Sequence, residues 1–106
     1  MKTAWLILLF AGVTEVTWAI AMKYSEGFTR LVPSVVTAVF YIASAVLLSV
    51  ALHKLPLGTA YAIWTGMGIV GTTVLGVVLF HETLTPAHIV CLLMIAGGIV
   101  GVKMLT

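Results

Sequence analysis

Four apolar stretches, at about residues 3–22, 32–52, 57–80 and 86–103, account for most of this chain. Each is close to the ~20 residues that a helix needs to cross about 30 Å of hydrocarbon. Backbone N–H and C=O groups find no water in lipid, so a span must satisfy them internally, as a helix does. Composition agrees: 62% of the 106 residues are hydrophobic and only 8% are charged. A soluble domain carries roughly a quarter charged residues, so this chain cannot cover a water-facing surface. The expected fold is all-α, an integral membrane bundle of four transmembrane helices forming one domain over residues 1–106.

Turn chemistry falls between the stretches. Lys23-Tyr24-Ser25-Glu26-Gly27 closes the first, with Gly27 as a C-terminal breaker. Pro33, Pro56 and Pro86 lie near helix starts, where a missing N–H costs little, and Thr85 is placed to cap the fourth helix. A secretory signal peptide over the first stretch is disfavoured, because Glu15 and Trp18 interrupt it before the cleavage-like Ala19-Ile20-Ala21. Cys91 is the single cysteine, so no intrachain disulfide forms. A net charge of +2 with scattered carriers gives no nucleic-acid surface.

Loop charges leave orientation open. With the N-terminus inside, that side holds Lys2, Lys54 and Lys103, against Lys23 and Arg30 outside. A difference of one residue is a weak instruction under the positive-inside rule. Simple N-in insertion and insertion in both orientations both fit.

Glu15 is the residue that composition does not explain. It sits near the middle of the first stretch, where an ionisable group costs a few kcal/mol by insertion scales. No basic residue within a span can pair with it permanently, since Lys103 lies near a helix end and can reach the interface. A protonated Glu hydrogen-bonded between helices is the plainer reading. An unpaired acid with some access to water is better suited to a transient cation.

Helical spacing places Leu8, Ala11, Gly12, Trp18, Ala19 and Met22 on the Glu15 face. In the third stretch Tyr61, Trp64, Thr65 and Gly68 share a face; in the second, Tyr41 and Ser44 form a polar pair. Aromatic residues in spans often serve as interface belts, which suits Trp5 and Tyr24. Trp18, Tyr61 and Trp64 lie deeper and carry donors that need partners, so packing and function both remain open. Gly66 and Gly68 weaken the middle of the third helix and could form a hinge, or could serve close packing. Gly97 and Gly101 match the small-xxx-small spacing of a helix-dimer contact. His53, His81 and His88 lack metal-ligand spacing, and no nucleophile–base set or phosphate loop is found, so neither an enzyme nor a metal or cofactor is expected.

The strings Lys23-Tyr24-Ser25-Glu26-Gly27-Phe28-Thr29-Arg30, Pro33-Ser34 and Gly58-Thr59-Ala60-Tyr61-Ala62-Ile63-Trp64-Thr65-Gly66, with Glu15 before them, resemble the small multidrug resistance family of bacterial transporters. The resemblance covers essentially the whole length. Trp18 with Ala19-Ile20-Ala21, Gly58-Thr59, Trp64-Thr65-Gly66 and Lys103 are more similar to its guanidinium-exporting members than to its exporters of polyaromatic drugs. The resemblance implies a multi-pass protein of the bacterial inner membrane. It also implies an antiparallel, dual-topology homodimer with two Glu15 carboxylates facing one site. Ser44, Tyr61 and Trp64 would then position the substrate or Glu15, while Gly12 and Trp18 shape the pocket.

Physical reasoning points the same way. Four helices enclose little room, so a pathway calls for a second copy. Two copies inserted oppositely supply the symmetry that larger transporters obtain from inverted repeats. Guanidinium keeps its charge at physiological pH and presents a planar fork of donors to carboxylate oxygens. Protons and a small organic cation would compete for Glu15, giving a proton-coupled antiporter. The other readings are export of quaternary ammonium or aromatic cations, and a non-transporting membrane subunit in which Glu15 pairs with a partner's basic residue.

Overall fold

The computed structural model describes residues 2–105, which form four helices: α1 (Lys2–Tyr24), α2 (Leu31–Ala51), α3 (Leu57–Phe80) and α4 (Pro86–Leu105). All four are long and apolar enough to cross a membrane. No strand occurs among the described residues, so the chain is an all-α, four-helix membrane protein.

The α1–α2 loop is built on Ser25, whose side chain is completely buried. Its hydroxyl donates to the Met22 carbonyl at 2.6 Å and accepts the Phe28 N–H at 3.1 Å. Its carbonyl accepts the N–H groups of Thr29 and Arg30, at 2.9 and 3.1 Å. These bonds hold three successive residues, Glu26, Gly27 and Phe28, at positive φ. Only Gly27 adopts that conformation without a Cβ penalty. The turn therefore depends on Ser25 as well as on the glycine.

The α3–α4 connection uses caps at both ends. His81 is left-handed, and the following Glu82 N–H reaches back to the Gly76 carbonyl, which terminates α3. The Thr85 hydroxyl accepts the His88 N–H at 3.1 Å and opens α4. Lys23 at the end of α1 meets Glu82 of this loop at 2.6 Å, and its ammonium lies 4.7 Å from the Phe80 ring centroid. The two side chains are 52% and 49% exposed, so this pair adds little stability.

α1 packs against α2 and α3, whereas α4 packs its backbone only against α3. The buried core contains Ala4, Leu8 and Ala11 of α1, Leu48 and Ala51 of α2, and Ala60 and Ile63 of α3. Alanines at these contacts bring the backbones close, which is how membrane helices gain dispersion energy when lipid is as apolar as the core. α4 has no buried residue. The molecule measures 40 × 35 × 17 Å, less than two helix diameters in its thin direction.

Candidate functional site

Glu15 faces α3 from α1. Its carboxylate lies directly over Gly68, so near that a Cβ at that position would overlap the carboxyl group. Gly12, one turn earlier on α1, does the same for Met67: a Cβ there would meet the Met67 side chain. Further along, Gly71 accommodates Val16. Three glycines thus set the α1–α3 separation, and one of them makes the space in which the carboxylate sits.

Three buried side-chain polar atoms have no hydrogen-bond partner among the described residues: Glu15 Oε2, Trp18 Nε1 and Thr65 Oγ1. Trp18 lies three residues beyond Glu15 on α1, and Thr65 lies three before Gly68 on α3. Helix geometry therefore puts them on either side of the Glu15–Gly68 contact. Buried polar atoms normally find partners, so three without one call for an explanation such as a water, an ion or a ligand. The only ion pair among the described residues is Lys23–Glu82, so no internal cation neutralises Glu15.

Beside this cluster runs a second, satisfied network. The Trp64 indole N–H donates to Ser44 Oγ at 2.9 Å, and the Ser44 hydroxyl donates to the Ala11 carbonyl at 2.7 Å. Ala11 is one turn before Glu15, so α2 and α3 are tied to the turn that carries the carboxylate. Ser44 is fully buried and spends its hydroxyl on the α1 backbone, leaving none for the Glu15 side chain. Ser44→Ala strands the Trp64 donor. The expected cost is about 1 kcal/mol of stability, between membrane and soluble averages for such bonds, checked by denaturant titration in detergent micelles.

The aromatic residues divide into two groups. Tyr41 packs edge-on to Trp18 with centroids 5.1 Å apart, which adds α2 to the Glu15 neighbourhood. Tyr61 lies 5.4 Å from the Trp64 ring, on the side of the satisfied network. Both tyrosines are about half exposed, on the surface the chain leaves uncovered.

The remaining candidates lie apart. Gly66 faces α4, where a Cβ would collide with Ile99. α3 runs unbroken through Gly66 and Gly68, and both glycines are sites of close approach. Gly97 and Gly101 have open space where a Cβ would be and do not approach the Glu15 cluster. Sequence spacing placed Thr65 on the Tyr61 face without marking it as a site residue. Its lack of a partner could only be found once the helices were packed.

The chain matches the Small Multidrug Resistance protein family over residues 3–95. It is 54% identical over 101 residues to the guanidinium exporter of Yersinia pestis, covering 95% of this chain and 97% of that protein. The guanidinium exporter of Citrobacter freundii is 48% identical over 103 residues, covering 97% and 98%. That of Salmonella typhimurium strain LT2 is 48% identical over 101 residues, covering 95% and 96%. With four membrane-spanning helices and a match that takes in Glu15, Ser44, Trp64 and Gly68, the chain is a multi-pass membrane protein belonging to the Small Multidrug Resistance family.

Proposed function

We propose that this protein exports guanidinium, or small cations bearing a guanidinyl group, across the bacterial inner membrane in exchange for protons. The observation that carries the reading is a half-buried carboxylate, one oxygen of it fully buried, without a cation, in a chain about half identical to guanidinium exporters. An ionised carboxylate in a span requires a counter-charge, and an incoming cation or proton provides one. A planar guanidinium can take both Glu15 oxygens through parallel N–H donors. The donors of Trp18 and Thr65 are free to hold the carboxylate in the interval between occupants. No step requires a covalent intermediate, a metal or a cofactor, and the protein is read as a transporter and not an enzyme.

Transport follows from exclusion. Proton and guanidinium occupy the same oxygens, so binding one displaces the other. The unloaded, ionised site opposes reorientation because carrying bare charge through a dry region is costly. The inward proton gradient then drives cation outward. The thin slab with its outward-facing Tyr41 and Tyr61 supports a site completed by a second copy in opposite orientation, an antiparallel homodimer. Gly97 and Gly101 on the open face of α4 give such a partner a close helix contact. Bending of α3 at Gly66 and Gly68 would alternate access, since it moves the backbone under the carboxylate.

Substrate choice is tested by solid-supported-membrane electrophysiology on proteoliposomes. Guanidinium is expected to evoke transport currents where tetraalkylammonium ions evoke little. Equal or larger currents from tetraalkylammonium would replace this reading with broad cation export. No current from any cation would point to a non-transporting subunit.

A further inference from the structure

Among the described residues, one end of the bundle gathers ammonium groups without acidic side chains. Lys2 opens α1, Lys103 lies in the last turn of α4, and Lys54 is in the α2–α3 connection. Of the three acidic side chains, Glu15 is inside α1, and Glu26 and Glu82 occupy the two loops at the opposite end. There Glu82 already neutralises Lys23. The two ends therefore differ far more in local charge than the count of basic residues suggests.

At the lysine end, α1 and α4 both rest on α3 without packing backbone to backbone, and they leave a groove of about 560 Å³. Its walls are Leu6 and Leu9 of α1 and Ile99 and Val100 of α4, and Lys2 and Lys103 line it as well. The Lys103 ammonium is held 4.9 Å above the Trp5 ring centroid, which fixes a cation at the groove.

We propose that this groove binds an anionic phospholipid, with the phosphate between Lys2 and Lys103 and an acyl chain along the apolar walls. Charge complementarity selects this occupant. A parallel second copy seated in the groove would set its own basic end against the two ammonium groups, an expensive burial, whereas an antiparallel copy seated there would keep lipid away from Trp5. A lipid phosphate supplies the counter-charge at headgroup depth, and the hydrocarbon below it meets only apolar side chains. Trp5 sits at the level where an indole bridges the two environments.

The test uses full-length protein in nanodiscs of mixed phosphatidylglycerol and phosphatidylcholine, with brominated acyl chains on one lipid at a time. Quenching of Trp5 is the difference between wild type and Trp5→Phe. At equal mole fraction, brominated phosphatidylglycerol is expected to quench Trp5 several-fold more effectively than brominated phosphatidylcholine. Lys103→Gln should reduce that selectivity about fivefold, the contribution of one basic group near an anionic surface, and Lys103→Arg should retain it. Lys54→Gln removes the same charge from the same end and should leave it unchanged. Equal quenching by both lipids, quenching by neither, or equal losses in Lys103→Gln and Lys54→Gln would each overturn the proposal.

Discussion

Glu15→Gln is expected to abolish proton-driven export and to weaken guanidinium binding roughly hundredfold, the loss of charge-assisted hydrogen bonds to a carboxylate inside the bundle. Glutamine keeps the size and one acceptor oxygen, but it carries no charge to match the cation and cannot exchange a proton. The protein itself should fold as well as before, since removing an ionisable group from the middle of α1 lowers the cost of inserting that helix. Unchanged behaviour in size-exclusion chromatography would establish this alongside the transport assay. Proteoliposomes carrying the variant should neither accumulate guanidinium against a proton gradient nor take up protons when guanidinium is released. Retained exchange would sink the account, because no other carboxylate lies within a helix.

Gly68→Ala is expected to lower guanidinium affinity at least tenfold while leaving the fold intact. An alanine Cβ at this position takes the space that the Glu15 carboxylate now occupies. The colliding atoms are the end of a flexible side chain, so the backbone need not move. The carboxylate rotates away and loses its relation to Trp18 and Thr65. Gly58→Ala is the matched control, because its Cβ meets nothing within 4 Å. Isothermal titration with guanidinium separates the two. Equal affinities in both variants would show that the close approach of Glu15 to Gly68 has no bearing on binding.

The four-helix architecture was legible in the sequence because bilayer thickness sets the length of a span and the loops between spans are short and polar. Glu15 was legible as a candidate for the same reason: a carboxylate in hydrocarbon demands an explanation. What the sequence left open was rotation. Helices that are apolar all round do not announce which face meets a neighbour, so spacing could group Tyr61, Trp64 and Thr65 without saying what each touches. Packing gives Ser44 the Ala11 carbonyl as its acceptor, and puts Gly68 beneath Glu15. Lys23 and Glu82, 59 residues apart, meet only because α1 and α3 end on the same side. Gly66 could be read as a hinge or a packing site, and the Ile99 side chain against it shows a packing role that spacing alone did not reveal.

The claim at the centre is that protons and guanidinium exclude each other at Glu15. Purified protein in weakly buffered detergent solution, near neutral pH, tests it without transport, liposomes or an assumed orientation. Adding guanidinium should acidify the solution as bound protons are displaced, and the signal should saturate with the binding isotherm and vanish in Glu15→Gln. Guanidinium binding that proceeds with no proton release at any pH across the titration range would contradict the account.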